Sequence, residues 1–207
     1  MTSLDSITLE VADLPAAERF YAAFGLGDRL RLRASTEPTT GFRRFTLSLV
    51  VSQPADVRTL VDAAVDAGAT VLKPVAKSMW GYGGVVRAPD GTIWKVATSA
   101  KKDNGPATRR IDDVVLLLGV NDMAASKRFY LDHGLTVAKS FARVYVEFDS
   151  GTSPVKLALY RRRALAKDAG VTSEGTGSHR IALGAAAGPV TDPDGFTWET
   201  TSIPAQS

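Results

Sequence analysis

The side chains that could do chemistry in this sequence gather around one stretch that occurs twice. It reads Ala88-Pro89-Asp90-Gly91-Thr92-Ile93-Trp94-Lys95 near the middle and Asp192-Pro193-Asp194-Gly195-Phe196-Thr197-Trp198-Glu199 near the end. A cation, Lys95, closes the first copy and a carboxylate, Glu199, closes the second. A carboxylate can ligate a divalent metal, whereas an ammonium repels one and attracts anions. A second repeated piece adds cations: Arg43-Arg44-Phe45-Thr46-Leu47 matches His179-Arg180-Ile181-Ala182-Leu183, 136 residues on. His179, one of two histidines, raises the alternative of a His179–Glu199 metal pair. If Ile181 and Leu183 face the core, strand alternation puts Arg180 on the opposite face and His179 with the core. A one-residue bulge would reverse that assignment.

Trp80 and Tyr82 sit among Gly81, Gly83 and Gly84 in what reads as a bend at 78–84, where the rings could stack on a planar ligand or pack on a sheet. Trp94 and Trp198 have the opposite parity to Lys95 and Glu199 and belong to the core. Phe20, Tyr21, Phe129 and Tyr130 are core by helical spacing, and His133 is a surface or packing residue. No nucleophile–histidine–acid set, phosphate loop or nucleotide fingerprint is present, so no catalytic residue is assigned.

The elements that must position these residues follow from periodicity. Ile7, Leu9 and Val11 alternate with Ser6, Thr8 and Glu10 in a strand with one apolar face. Asp13 and Pro15 start a helix that Gly25 ends, with Leu14, Ala17, Phe20, Tyr21 and Phe24 on one side. Leu30 and Leu32 alternate with Arg29, Arg31 and Arg33. Phe45, Leu47, Leu49 and Val51 form another one-faced strand, and Val57, Leu60, Val61, Ala64 and Val65 a helix stopped by Gly68. Pro-Asp-Gly is a tight turn, and a β-branched and aromatic strand follows each copy. In the second half a hairpin is expected over 141–148 and 155–160, a short helix over 163–169 and a loop over 174–178.

Asp13-Leu14-Pro15-Ala16-Ala17-Glu18-Arg19-Phe20-Tyr21 is echoed 109 residues later by Asp122-Met123-Ala124-Ala125-Ser126-Lys127-Arg128-Phe129-Tyr130. An internal repeat of this kind outranks local propensity in deciding the fold. The two last strands are offset by 104 residues, so the second half gains a hairpin in its middle and loses the helix that the first half has there. The polar stretch 101–109 is the expected linker between domains spanning 1–100 and 110–207.

This ordered set resembles the vicinal oxygen chelate superfamily, which includes glyoxalase I, bleomycin-resistance proteins and extradiol dioxygenases. The set is a strand, Val-x-Asp-(Leu/Met), a helix with Arg-Phe-Tyr, Gly-Leu, then Asp-Pro-Asp-Gly and a strand. The resemblance spans about 4–100 and 110–202. It implies an α+β fold of tandem βαβββ modules forming two curled mixed sheets, with helices on the outer face. It also implies three inward-pointing metal ligands per site in the family's enzymes. Carried onto this sequence, those positions are Ser6, Arg44 and Lys95 in the first half and Val115, Arg180 and Glu199 in the second. Only Glu199 is a credible ligand.

The expectation is therefore a small-molecule-binding protein without a catalytic metal or other cofactor. Its ligand is anionic or aromatic, met by Ser6, Thr8, Glu10, Arg44, Trp80, Tyr82, Lys95, Arg180 and Glu199. Arg180 and Glu199 are expected to pair, and Arg44 and Lys95 to make a cationic cavity with Glu10 nearby. The alternative is a lyase, isomerase or dioxygenase using one Fe, Mn, Ni or Zn ion, and a third reading is a scaffold that mainly homodimerises. A net charge of +3 over 207 residues is too small to argue for nucleic acid or an anionic membrane. The absence of cysteine excludes disulfides and thiolate chemistry. No signal peptide or membrane span is read from the sequence, so the cytoplasm is the expected location.

Overall fold

Two strand pairings across the halves of the chain organise the molecule. The computed structural model describes residues 3–27, 29–79, 81–186 and 188–201. The first half contributes β1 (Ser6–Val11), α1 (Leu14–Ala23), β2 (Arg31–Ala34), β3 (Thr39–Gly41), β4 (Phe45–Val50), α2 (Pro54–Asp66), β5 (Thr70–Ser78), β6 (Gly81–Arg87) and β7 (Ile93–Thr98). The second contributes β8 (Asp113–Val120), α3 (Met123–Asp132), β9 (Val137–Phe141), β10 (Tyr145–Phe148), β11 (Val155–Arg161), α4 (Arg162–Ala169), β12 (Gly175–Gly177), β13 (Ile181–Ala185), β14 (Val190–Thr191) and β15 (Thr197–Thr200). Local chemistry starts the paired helices: Asp13 caps α1 and Asp122 caps α3, each accepting from first-turn N–H groups. Among the described residues no helix is long and apolar enough to cross a membrane.

The eight-stranded sheet runs β5-β6-β7-β4-β8-β11-β10-β9. It consists of two complete βαβββ modules, β4-α2-β5-β6-β7 and β8-α3-β9-β10-β11, joined antiparallel through β4 and β8. The five-stranded sheet runs β14-β15-β13-β1-β2. It consists of two shortened modules, β1-α1-β2 and β13-β14-β15, joined antiparallel through β1 and β13. In every module the first strand lies parallel to its last, as β4 does to β7, β8 to β11, β13 to β15 and β1 to β2. Complete modules thus pair with each other, and so do the shortened ones. Both sheets draw strands from both sides of the 101–109 stretch.

One face of each sheet carries the main core. Ile7, Leu9, Leu47, Leu49, Trp94, Val96, Leu116, Leu118, Leu183 and Trp198 are buried there. Helices α1 and α3 add Phe20, Tyr21 and Tyr130, and α2 adds Val57, Leu60 and Val61. Trp94 packs edge-on to Phe24, and Trp198 against Tyr130. Phe129 is only half-buried, against His133.

Helix α4 departs from the outer-face expectation. It lies on the opposite face of the eight-stranded sheet, against β8, β11 and β4. There Leu165, Ala166 and Ala169 form a second core with Phe42, Val85 and Ile93. Covering both faces explains the unbroken apolar run Val114–Val115–Leu116–Leu117–Leu118, which alternation alone would not produce. Two loop expectations also change. The 78–84 stretch takes in the end of β5 at Ser78 and the start of β6 at Gly81, so Tyr82 stands on a strand opposite Lys77 and Thr98. Glycine is needed here because a Cβ at Gly83 would lie 2.9 Å from the Val96 carbonyl oxygen and one at Gly84 2.8 Å from Val75. Within 174–178, Gly175–Gly177 pairs with Thr39–Gly41 in a two-stranded ribbon.

Candidate functional site

The repeated motifs meet each other and fix the strands that carry Lys95 and Glu199. Tyr21 on α1 donates its hydroxyl to Asp90 at 2.9 Å, and Tyr130 on α3 donates to Asp192 at 2.6 Å. Each aspartate also receives its own turn's N–H groups, from Thr92 in the first copy and from Asp194 and Phe196 in the second. Burial pushes both tyrosine hydroxyls up from their ordinary value, and the Asp192 carboxyl up as well. From the other side, Arg43 Nη2 donates to the Asp90 carbonyl at 2.5 Å, and His179 Nε2 lies 3.1 Å from the Asp194 carbonyl. His179 Nδ1 is 3.0 Å from the Arg43 carbonyl, and its ring stacks on Phe196 at 4.2 Å. His179 thus lies between the backbones of the two repeated pieces, where the neutral ring has one N–H to donate to one of the two carbonyls.

Arg44 and Arg180 precede equivalent strands, and both adopt left-handed φ, 64° and 57°. That kink is the local irregularity that simple alternation misses. Arg180 turns to donate to the Ser35 carbonyl, and Glu199 instead pairs with Arg33 at 2.8 Å. The expected Arg180–Glu199 pair is therefore replaced. Arg33 also meets Glu10 at 2.6 Å, and the two carboxylates push the Arg33 guanidinium up. Ser6 and Glu199 flank Gly184 in register, and Thr8 lies two pairs further along β1, opposite Ala182. Ser6, Thr8, Glu10 and Glu199 thus share the five-stranded sheet, while Lys95 and Tyr82 belong to the eight-stranded one. Glu10 is not the counter-charge of Lys95 because their strands enter different sheets. Trp80 lies outside the described residues.

On the face of the eight-stranded sheet that α4 partly covers, Lys95, Ser48, Val115 and Lys156 form one register row across β7, β4, β8 and β11. Lys95 meets Asp168 of α4 at 2.8 Å, and Lys156 meets Asp113 at 2.8 Å. Beside α4 a groove of about 320 Å³ opens, lined by Lys73, Lys77, Tyr82, Lys95, Val85 and Asp168 among others. Arg58 sits over the Tyr82 ring, 5.7 Å from its centre. A divalent metal does not fit this row, which offers two ammoniums, a hydroxyl and an isopropyl group. Nor does it fit the other sheet, where Glu10 and Glu199 are already bound to Arg33. Among the described residues no three His, Asp or Glu side chains converge on one point.

Sequence reasoning missed Arg33, Lys73, Lys77 and Asp168 as site residues. Arg33 carried a signal, since it alternates with Leu30 and Leu32 on the polar face. Asp168 carried none, because only the placement of α4 brings it to Lys95.

Paired βαβββ modules joined through their first strands define the vicinal oxygen chelate fold, and the chain has that fold. Glyoxalase I of Zea mays is similar over 96% of this chain and 91% of its own, with a TM-score of 0.60 and 14% identity. A candidate dioxygenase of Bacillus subtilis is similar over 96% of this chain and 85% of its own, with a TM-score of 0.59 and 11% identity. At such identities the likeness is one of fold. No family model matches the chain, and no curated protein matches it in sequence.

Proposed function

We propose that the protein binds a small anionic molecule in the groove beside α4 and does so without a metal. The observation that carries this reading is the charge of the groove: three lysines, Lys73, Lys77 and Lys95, face one carboxylate, Asp168. Among the described residues Lys73 donates to the Lys167 carbonyl and Lys95 is paired with Asp168, so Lys77 and the outer edge of Lys73 remain to meet an acceptor. Tyr82 and Val85 supply apolar wall, which suits an aromatic or short aliphatic body on the anion. A metal-dependent lyase, isomerase or dioxygenase would need ligands that the Lys95–Ser48–Val115–Lys156 row does not contain. Elemental analysis of protein purified without chelators tests this. The expected result is less than stoichiometric Fe, Mn, Ni and Zn, and one tightly held equivalent of any of them would overturn the reading.

A further inference from the structure

We infer that the seam between α1 and the first Pro-Asp-Gly turn is a second binding site, which takes a small monocarboxylate with a compact apolar body. A cavity of about 190 Å³ lies there, with Ala12, Ala17, Phe20 and Pro89 as apolar wall and Arg43 and Arg180 as polar groups. Arg180 is only 8% exposed, and its Nε has no hydrogen-bond partner. Arg43 gives Nη2 to the Asp90 carbonyl, while its buried Nη1 also lacks a partner. Neither guanidinium is in an ion pair among the described residues. Burial pushes Arg43 down from its ordinary value, with the charge of Arg180 adding to the effect and Asp90 opposing it.

Three carboxylates border the cavity, and each already has donors. Glu10 is held by Arg33, Asp13 accepts from the Ala16 N–H at 2.9 Å, and Asp90 accepts from Tyr21 and Thr92. What the cavity offers a ligand besides these hydrogen-bonded carboxylates is the charge of Arg43 and Arg180, which a carboxylate matches. An apolar cavity of about 150 Å³ is known to accept benzene, so this one has room for a benzoate-sized ion.

The second half of the chain holds an internal control. By the 109-residue repeat, Ala12 and Ala17 correspond to Asn121 and Ser126. Asn121 reaches Asp194 Oδ1 at 2.9 Å, and Ser126 reaches Asp194 Oδ2 at 2.7 Å, bridging the helix to the turn. In the first half the two alanines stop short of Asp90, and the seam opens where the second copy is bridged. Arg43 also stands where the second copy has His179.

The test is calorimetric titration of benzoate into the intact chain carrying K77M, which disables the groove beside α4. The expected result is saturable 1:1 binding, with benzamide about tenfold weaker or worse because the charge-assisted bonds are lost. The double variant A12N/A17S, which installs the second copy's residues, should abolish this binding in the K77M background. R180Q should weaken it about tenfold. No benzoate binding by K77M, equal affinity for benzamide, or indifference to A12N/A17S would each overturn the proposal. Binding of phenyl phosphate in the groove beside α4 should survive A12N/A17S, which separates the two sites.

Discussion

At Arg33 one guanidinium gathers carboxylates from two other strands, Glu10 on β1 and Glu199 on β15, because the sheet curls. The Arg33 side chain is 44% exposed and that of Glu199 42%, so water screens much of the attraction. R33M should lower stability by about 1 kcal/mol in urea melts at low salt, and by less in 1 M NaCl. An unchanged loss at high salt would mean that packing of the arginine stem matters more than its charge. Asp192 behaves differently because it is buried. Burial raises its carboxyl above the ordinary 3.8, with the Tyr130 hydroxyl and the Phe196 N–H partly opposing. A raised folded-state pKa favours the protonated form, so this stabilisation is complete below about pH 4 and is lost as pH rises through the folded value. The stability of the parent minus that of D192N should therefore shrink as pH rises above about 4 and level off once the pH has passed the folded value, by about 1.4 kcal/mol per pH unit at most. A difference that grows with pH would contradict this sign.

Helix α4 is the element that distinguishes the two faces of the eight-stranded sheet. Leu165 is 1% exposed within the cluster around Phe42 and Ile93. L165A should cost about 2–4 kcal/mol by loss of burial and the cavity left behind, measured as a drop in the urea midpoint. A loss under about 0.5 kcal/mol would show that the helix does not pack as described. At this scale much was legible from the sequence. The periods of Ile7–Val11 and of the α1 and α3 repeats identified strands and helices, and the Pro-Asp-Gly copies located β7 and β15. Three things were not legible. The alternation of Arg44 and Arg180 fails because each takes a left-handed φ that no residue type there demands. The position of α4 depends on long-range packing. The partners of β1 and β4 depend on which modules are complete, a property of the assembled sheets and of no local window.

The whole molecule is built from complementary losses. The first half keeps a complete module at β4–β7 and the second at β8–β11, and each shortened module finds its partner in the opposite half. Halves 1–100 and 110–207, expressed separately, should show no cooperative unfolding of their own, and mixing them should restore it. A half that unfolds cooperatively as a monomer would contradict the shared sheets. The same assembly brings Lys95 on β7 to Asp168 on α4 and sets the groove's charge. Binding of an anion there without a metal is tested most directly by calorimetric titration of phenyl phosphate into EDTA-dialysed protein and its K77M variant. Saturable binding by the parent, unaffected by EDTA, weakened by salt and about tenfold weaker in K77M, is the expected result. Binding that appears only after a divalent metal is added back, or that K77M leaves untouched, would contradict it.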